Sequence, residues 1–115
     1  MLNAENVVIN RISAKLSPQE FELAKAYIKG AVHGFCKNNP NQEFSARILF
    51  GGENGDWHGT PLQRIYEWHC EAGTSDPKER AAIDVGWLLK VVLHEDVRTF
   101  VLTGKDTGQR YQQIS

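Results

Sequence analysis

The chain is poor in the features that mark specialised classes. Two cysteines in 115 residues are too few for a disulfide-stapled scaffold. No run of about 18 apolar residues occurs, which leaves no candidate transmembrane helix. Charge of one sign is not in excess either. Thirteen Lys and Arg face fourteen Asp and Glu, with six of each sign in residues 1–57 and seven positive against eight negative in residues 58–115. Neither half has the clustered positive field that draws nucleic acid, nor an acidic run that would imitate a phosphate backbone. The opening residues Met1 to Asn6 lack the basic and apolar regions of a secretory leader. No lipidation motif stands at either end. The expected location is the cytoplasm, with Cys36 and Cys70 as reduced thiols.

What is present suits a folded protein. An apolar fraction of 41% with near-zero net charge excludes a disordered chain. The length fits one domain over residues 1–115 with a single core.

Three helix-start signals punctuate the sequence. Ser17-Pro18-Gln19-Glu20 is a capping box with proline at the first helical position. Thr60-Pro61-Leu62-Gln63 follows the same logic, and Asp76-Pro77-Lys78-Glu79 repeats it with Asp as the cap. The first predicts a helix from Pro18 to about Cys36, with Phe21, Ala24, Ile28, Val32 and Phe35 on one face, stopped by the turn residues 37–41. The second predicts a helix from Pro61 to about Ala72 that buries Leu62, Ile65, Tyr66 and His69 and ends at a left-handed Gly73. The third predicts a helix from Pro77 to about His94. It is apolar over so much of its circumference (Ala81, Val85, Leu88, Leu89, Val91, Val92) that it belongs at the centre of the molecule. Gly86 inside it predicts a close neighbouring backbone. A further helix over residues 5–14 would bury Val8, Ile9 and Ile12. Residues 44–50 suit either a strand or a short helix capped by Ser45 and stopped by Gly51, with the helix favoured. Residues 97–115 read as a β-hairpin. The fold class is therefore mainly α: three to four helices with a small C-terminal hairpin.

Asp84 is the most unusual residue. Its helical projection falls between Val91 and Leu88, inside the apolar arc. A buried carboxylate must be paired, so Asp84 is read as structural: it caps another helix or anchors the glycine-rich loop through backbone amides. The alternative is a catalytic acid or base. His69 shares a face with Leu62, Ile65 and Tyr66 and is read as a satisfied core histidine. It would pair with Asp84 if the two helices are antiparallel. Such a pair without a nucleophile is not an active site, but it keeps a small hydrolase among the readings. His33, Cys36, His69 and Cys70 lack the spacing of a zinc site, and no metal or cofactor is expected.

The loop from Gly51 to Gly59 is no phosphate cradle, since two acids lie within it and no Gly-Lys-Ser/Thr follows. Its Trp57 is either an anchor beneath the loop or an exposed contact; a loop this long needs something apolar to order it. The two later helices could form a helix-turn-helix. However, the outward face of the second, Glu79, Ile83, Lys90 and His94, is not basic and has no side chains suited to base edges.

The run Gly55-Asp56-Trp57-His58-Gly59-Thr60-Pro61-Leu62-Gln63-Arg64-Ile65-Tyr66, followed by Asp84-Val85-Gly86-Trp87-Leu88-Leu89-Lys90, resembles small uncharacterised accessory proteins of phages and integrative mobile elements of gut Firmicutes. The resemblance spans roughly residues 17–100. It implies a setting rather than an activity: such proteins often bind a host or defence protein, and some block CRISPR effectors. The expected function is a non-enzymatic binding module with a contact surface drawn from Trp57, His58, Arg64, Trp68 and Trp87. Its partner would be another protein or a second copy of the chain. A DNA- or RNA-binding accessory protein and the small hydrolase are the alternatives, and no membrane partner is expected.

Overall fold

The computed structural model of the chain describes residues 15–51, 56–96, 99–105 and 109–114. The helix expected over residues 5–14 lies outside them. Among the described residues, four helices and one hairpin follow in order: α1 (Pro18–Asn38), α2 (Ala46–Phe50), α3 (Gln63–Glu71), α4 (Pro77–Glu95), β1 (Phe100–Lys105) and β2 (Gln109–Gln113).

α1 begins as its sequence dictates. The Ser17 hydroxyl accepts from the Glu20 amide at 3.1 Å, and the Glu20 carboxylate accepts from the Ser17 amide at 2.8 Å. Two first-turn donors that the helix leaves open are thereby satisfied. The helix buries Ala24, Ile28 and Val32. Residues 44–50 combine both expected conformations. Phe44 exchanges two backbone hydrogen bonds of 2.8 Å with Tyr111 and so extends the hairpin by one residue pair. Ser45 then caps α2 through the Ile48 amide, and Gly51 ends it in the left-handed region at φ 82°.

α3 starts two residues later than its proline suggests. The Thr60 hydroxyl donates to the Trp57 carbonyl at 2.7 Å and accepts from the Leu62 amide at 3.2 Å. Thr60 thus organises a turn before the helix, whose first flanking residue is Leu62. The Asp76 cap is also corrected. Asp76 sits at φ 54°, ψ 63° with no side-chain bond to the α4 amides. An aspartate tolerates that region, and the turn from α3 uses it to reverse direction. Gly73 takes the expected left-handed conformation at φ 72°.

α4 occupies the centre. It contributes Ala81, Asp84, Val85, Leu88, Leu89, Val91, Val92 and Leu93 to the interior, and α1, α2 and α3 all lean on it. The close backbone expected at Gly86 is absent, because nothing lies within 4 Å of where its Cβ would stand. β1 and β2 pair antiparallel, with an irregularity between Leu102 and Gly104. Their inner side joins a ring cluster: Phe44 stands 5.7 Å from Phe35, 5.9 Å from Phe100 and 6.1 Å from Tyr111 between centroids. A two-stranded hairpin is marginal alone, and this cluster supplies its support.

Candidate functional site

The buried polar residues converge at one place, between α3 and α4. Asp84 is 3% exposed and His69 is 5% exposed. Asp84 Oδ2 lies 2.8 Å from His69 Nε2 and 2.8 Å from Lys15 Nζ. The other imidazole nitrogen, Nδ1, lies 3.1 Å from the Thr74 hydroxyl. Both ring nitrogens of His69 and the aspartate are thus held by side chains, as a low-dielectric interior requires. A carboxylate only accepts, so the Asp84 contact places a proton on Nε2.

Local structure explains how the four groups meet. His69 lies in the last turns of α3, and Gly73 reverses the chain there. The Thr74 amide donates to the His69 carbonyl at 3.0 Å and the Gly73 amide to the Cys70 carbonyl at 3.2 Å. This paired closure is the Schellman arrangement. It returns Thr74 over His69, so one residue satisfies both the backbone carbonyl and the ring of the other. α4 runs back antiparallel and presents Asp84 at the level of the imidazole. Lys15, just before α1, completes the set, with its side chain 10% exposed. Its ammonium also stands 5.0 Å from the centre of the Trp68 ring, which meets His69 edge-on at 5.1 Å.

Asp84 is buried as expected, while its expected partners are replaced by others. It binds two side chains rather than the amides of a helix end or of the loop. His69 and Asp84 converge as an antiparallel hairpin demands. Lys15 and Thr74 were missed. No pattern in the sequence near Lys15 marks it as the partner of a residue 69 positions away. Thr74 carried a usable signal, because a side chain immediately after a left-handed Gly73 folds back on the helix it ends.

The proposed contact residues divide. Trp57 is 3% exposed, and its indole donates to the Phe50 carbonyl at 2.9 Å. It is the anchor of its loop and leaves the contact surface. Its face also receives Lys78, whose ammonium lies 4.0 Å from the Trp57 ring and 5.0 Å from Tyr66. That pairing offsets the unfavourable placement of a cation in the first turn of α4. Arg64 is occupied as well. It bridges Glu20 at 3.3 Å and Glu71 at 3.2 Å, and so ties α3 to the start of α1. The Glu20 carboxyl titrates below its ordinary value, chiefly because it accepts the Ser17 amide and secondly because of the Arg64 charge. The Tyr66 phenol is pushed up, first by its hydrogen bond with Cys70. His58 is exposed, and Trp68 and Trp87 are half-buried, so these three remain on the surface. Ile83, one turn before Trp87, joins them at 44% exposure.

Among the described residues, no group of three or more His, Cys, Asp or Glu side chains could hold a metal ion. No helix among them is long and apolar enough to cross a membrane. No family model, curated protein or solved structure matches the chain.

Proposed function

We propose that this chain is a non-enzymatic protein-binding module, of the kind that mobile elements encode to engage or inhibit a host or defence protein. The observation that carries this reading is the outer face of α4. Ile83 stands 44% exposed there, one turn from the half-buried Trp87, whose ring lies 5.1 Å from the Lys90 ammonium. Tryptophan is among the residues most enriched at interface centres, and the exposed Ile83 extends its apolar surface. The buried charges support the same reading, since Asp84 is consumed by Lys15 and His69 within the fold. The resemblance to mobile-element accessory proteins supplies the class of partner, a host or defence protein such as a CRISPR effector. The test is affinity capture from the native host with wild type and Ile83→Asp. Wild type is expected to retain one protein at near-stoichiometric yield through a rise in salt, and the variant to lose it. Retention by the variant would overturn the reading. Capture that collapses steeply with salt would favour the nucleic-acid alternative instead.

A second reading has one specific observation in its favour. Asp84, His69 and Thr74 form a continuous relay, carboxylate to Nε2 and Nδ1 to hydroxyl. In a hydrolase, His69 would take the Thr74 proton while Asp84 holds the ring. Lys15 on the same carboxylate oxygen weighs against it by neutralising the charge that would stabilise an imidazolium. Hydrolysis of an activated ester that disappears in a folded Thr74→Ala variant would support this reading; equal rates in both proteins would end it.

A further inference from the structure

The outward side of α1 contains an arrangement that the monomer uses only in part, through the Tyr27 ring, which stands 5.9 Å from the Phe50 ring. Leu23 is 52% exposed and Tyr27 is 38% exposed. One to two turns further along stand Gly30 and Gly34, both exposed, with nothing within 4 Å of a Cβ built on either. At 100° per residue these four positions share an arc of about 60°. A glycine inside a helix costs about 1 kcal/mol relative to alanine. Neither glycine here has a positive φ or a close neighbour that would require it.

The spacing is self-complementary. Two large residues four apart are followed by two glycines four apart, and both large–small pairs share one midpoint, between Ile28 and Lys29. An antiparallel pairing of two α1 helices about that midpoint sets Leu23 against Gly34 of the second copy and Tyr27 against its Gly30. Each large side chain then enters a hollow left by a missing one, twice over by symmetry. Charge agrees with this orientation. Glu22 and Lys37 are both exposed on the same flank of the arc. The pairing brings Glu22 of one copy within about 3 Å, along the axis, of the level of Lys37 of the other. Parallel pairing would instead leave these two charges more than about 20 Å apart along the axis.

We infer that α1 is a homodimerisation helix that docks antiparallel on a second copy of the chain, seating Leu23 and Tyr27 over Gly34 and Gly30 of that copy. This surface is separate from the one on α4. A single helix about 30 Å long offers less area than a standard interface, so the association is weak, with dimer accumulating at roughly 0.1–1 mM.

Sedimentation equilibrium of the full chain across that range tests it. Wild type is expected to move from the 13.0 kDa monomer toward twice that mass. Gly30→Leu/Gly34→Leu fills both hollows and is expected to remain monomeric while melting no lower than wild type. Lys37→Glu is expected to weaken the dimer at least fivefold, and adding Glu22→Lys to restore it. A wild type that stays monomeric at 1 mM, or a dimer unaffected by the two leucines, would overturn the proposal.

Discussion

The two ends of the molecule are held by different physics. Beneath the hairpin, Phe35, Phe44, Phe100 and Tyr111 meet ring against ring, and each contact is individually weak and only softly dependent on geometry. Between α3 and α4, Lys15, Asp84, His69 and Thr74 form a chain in which every link has one geometry and one chemistry. An apolar cluster loses stability in proportion to the atoms removed. A buried ionic chain loses it in steps, because one deletion strands the remaining charges. Near-isosteric changes at the two ends should therefore have unequal effects.

The sharpest case is Asp84→Asn. The volume is kept, but Lys15 loses its counter-charge in the interior. Chemical denaturation is expected to show a loss of about 3–5 kcal/mol. Phe44→Leu, at a fully buried ring of the other end, is expected to cost about 1–2 kcal/mol by lost contact and a small cavity. If the two losses were equal, the distinction between the ends would fail. Removing the whole chain sharpens it further. Lys15→Met, His69→Phe and Asp84→Leu together are expected to cost less than Asp84→Asn alone, since no charge is stranded.

Smaller effects belong to the surface. Ser17→Ala removes the cap of α1 and is expected to cost about 1 kcal/mol. The Glu20 side of the same capping box gives a pH signature. Its carboxyl is depressed in the fold, so its contribution is present above the unfolded value of 4.5 and is lost as pH falls through the folded value below it. The difference in melting temperature between wild type and Glu20→Gln is expected to be constant above pH 4.5 and to shrink below it.

The same contrast decides what could be read from the sequence. The start of α1 followed from Ser17, Pro18 and Glu20 because capping is local chemistry, and Gly73 ended α3 for the same reason. Apolar periodicity placed α4 at the centre, since burial of one face needs no knowledge of what covers it. Asp84 was recognisable as a buried group because a carboxylate inside an apolar arc must be paired. Its partners were not all recognisable. His69 followed from the antiparallel hairpin, whereas Lys15 depends on where α1 crosses α4. Asp76 looked like a cap and instead served the turn, where the backbone reversal outweighed one side-chain hydrogen bond. Trp57 suited either surface or interior, with the anchoring role favoured by the length of its loop, and its indole settled inside because Phe50 ends α2 with a carbonyl within reach.

The account depends most on the closed state of the buried ionic chain, and His69 reports it directly. A one-bond proton–nitrogen spectrum of the imidazole, recorded with and without saturation of water, reads the exchange of its Nε2 proton. The geometry predicts a resolved Nε2 proton in slow exchange, since Asp84 accepts it and His69 is 5% exposed. An Nε2 proton exchanging freely with solvent would contradict the account, because it would place His69 and Asp84 in an open site.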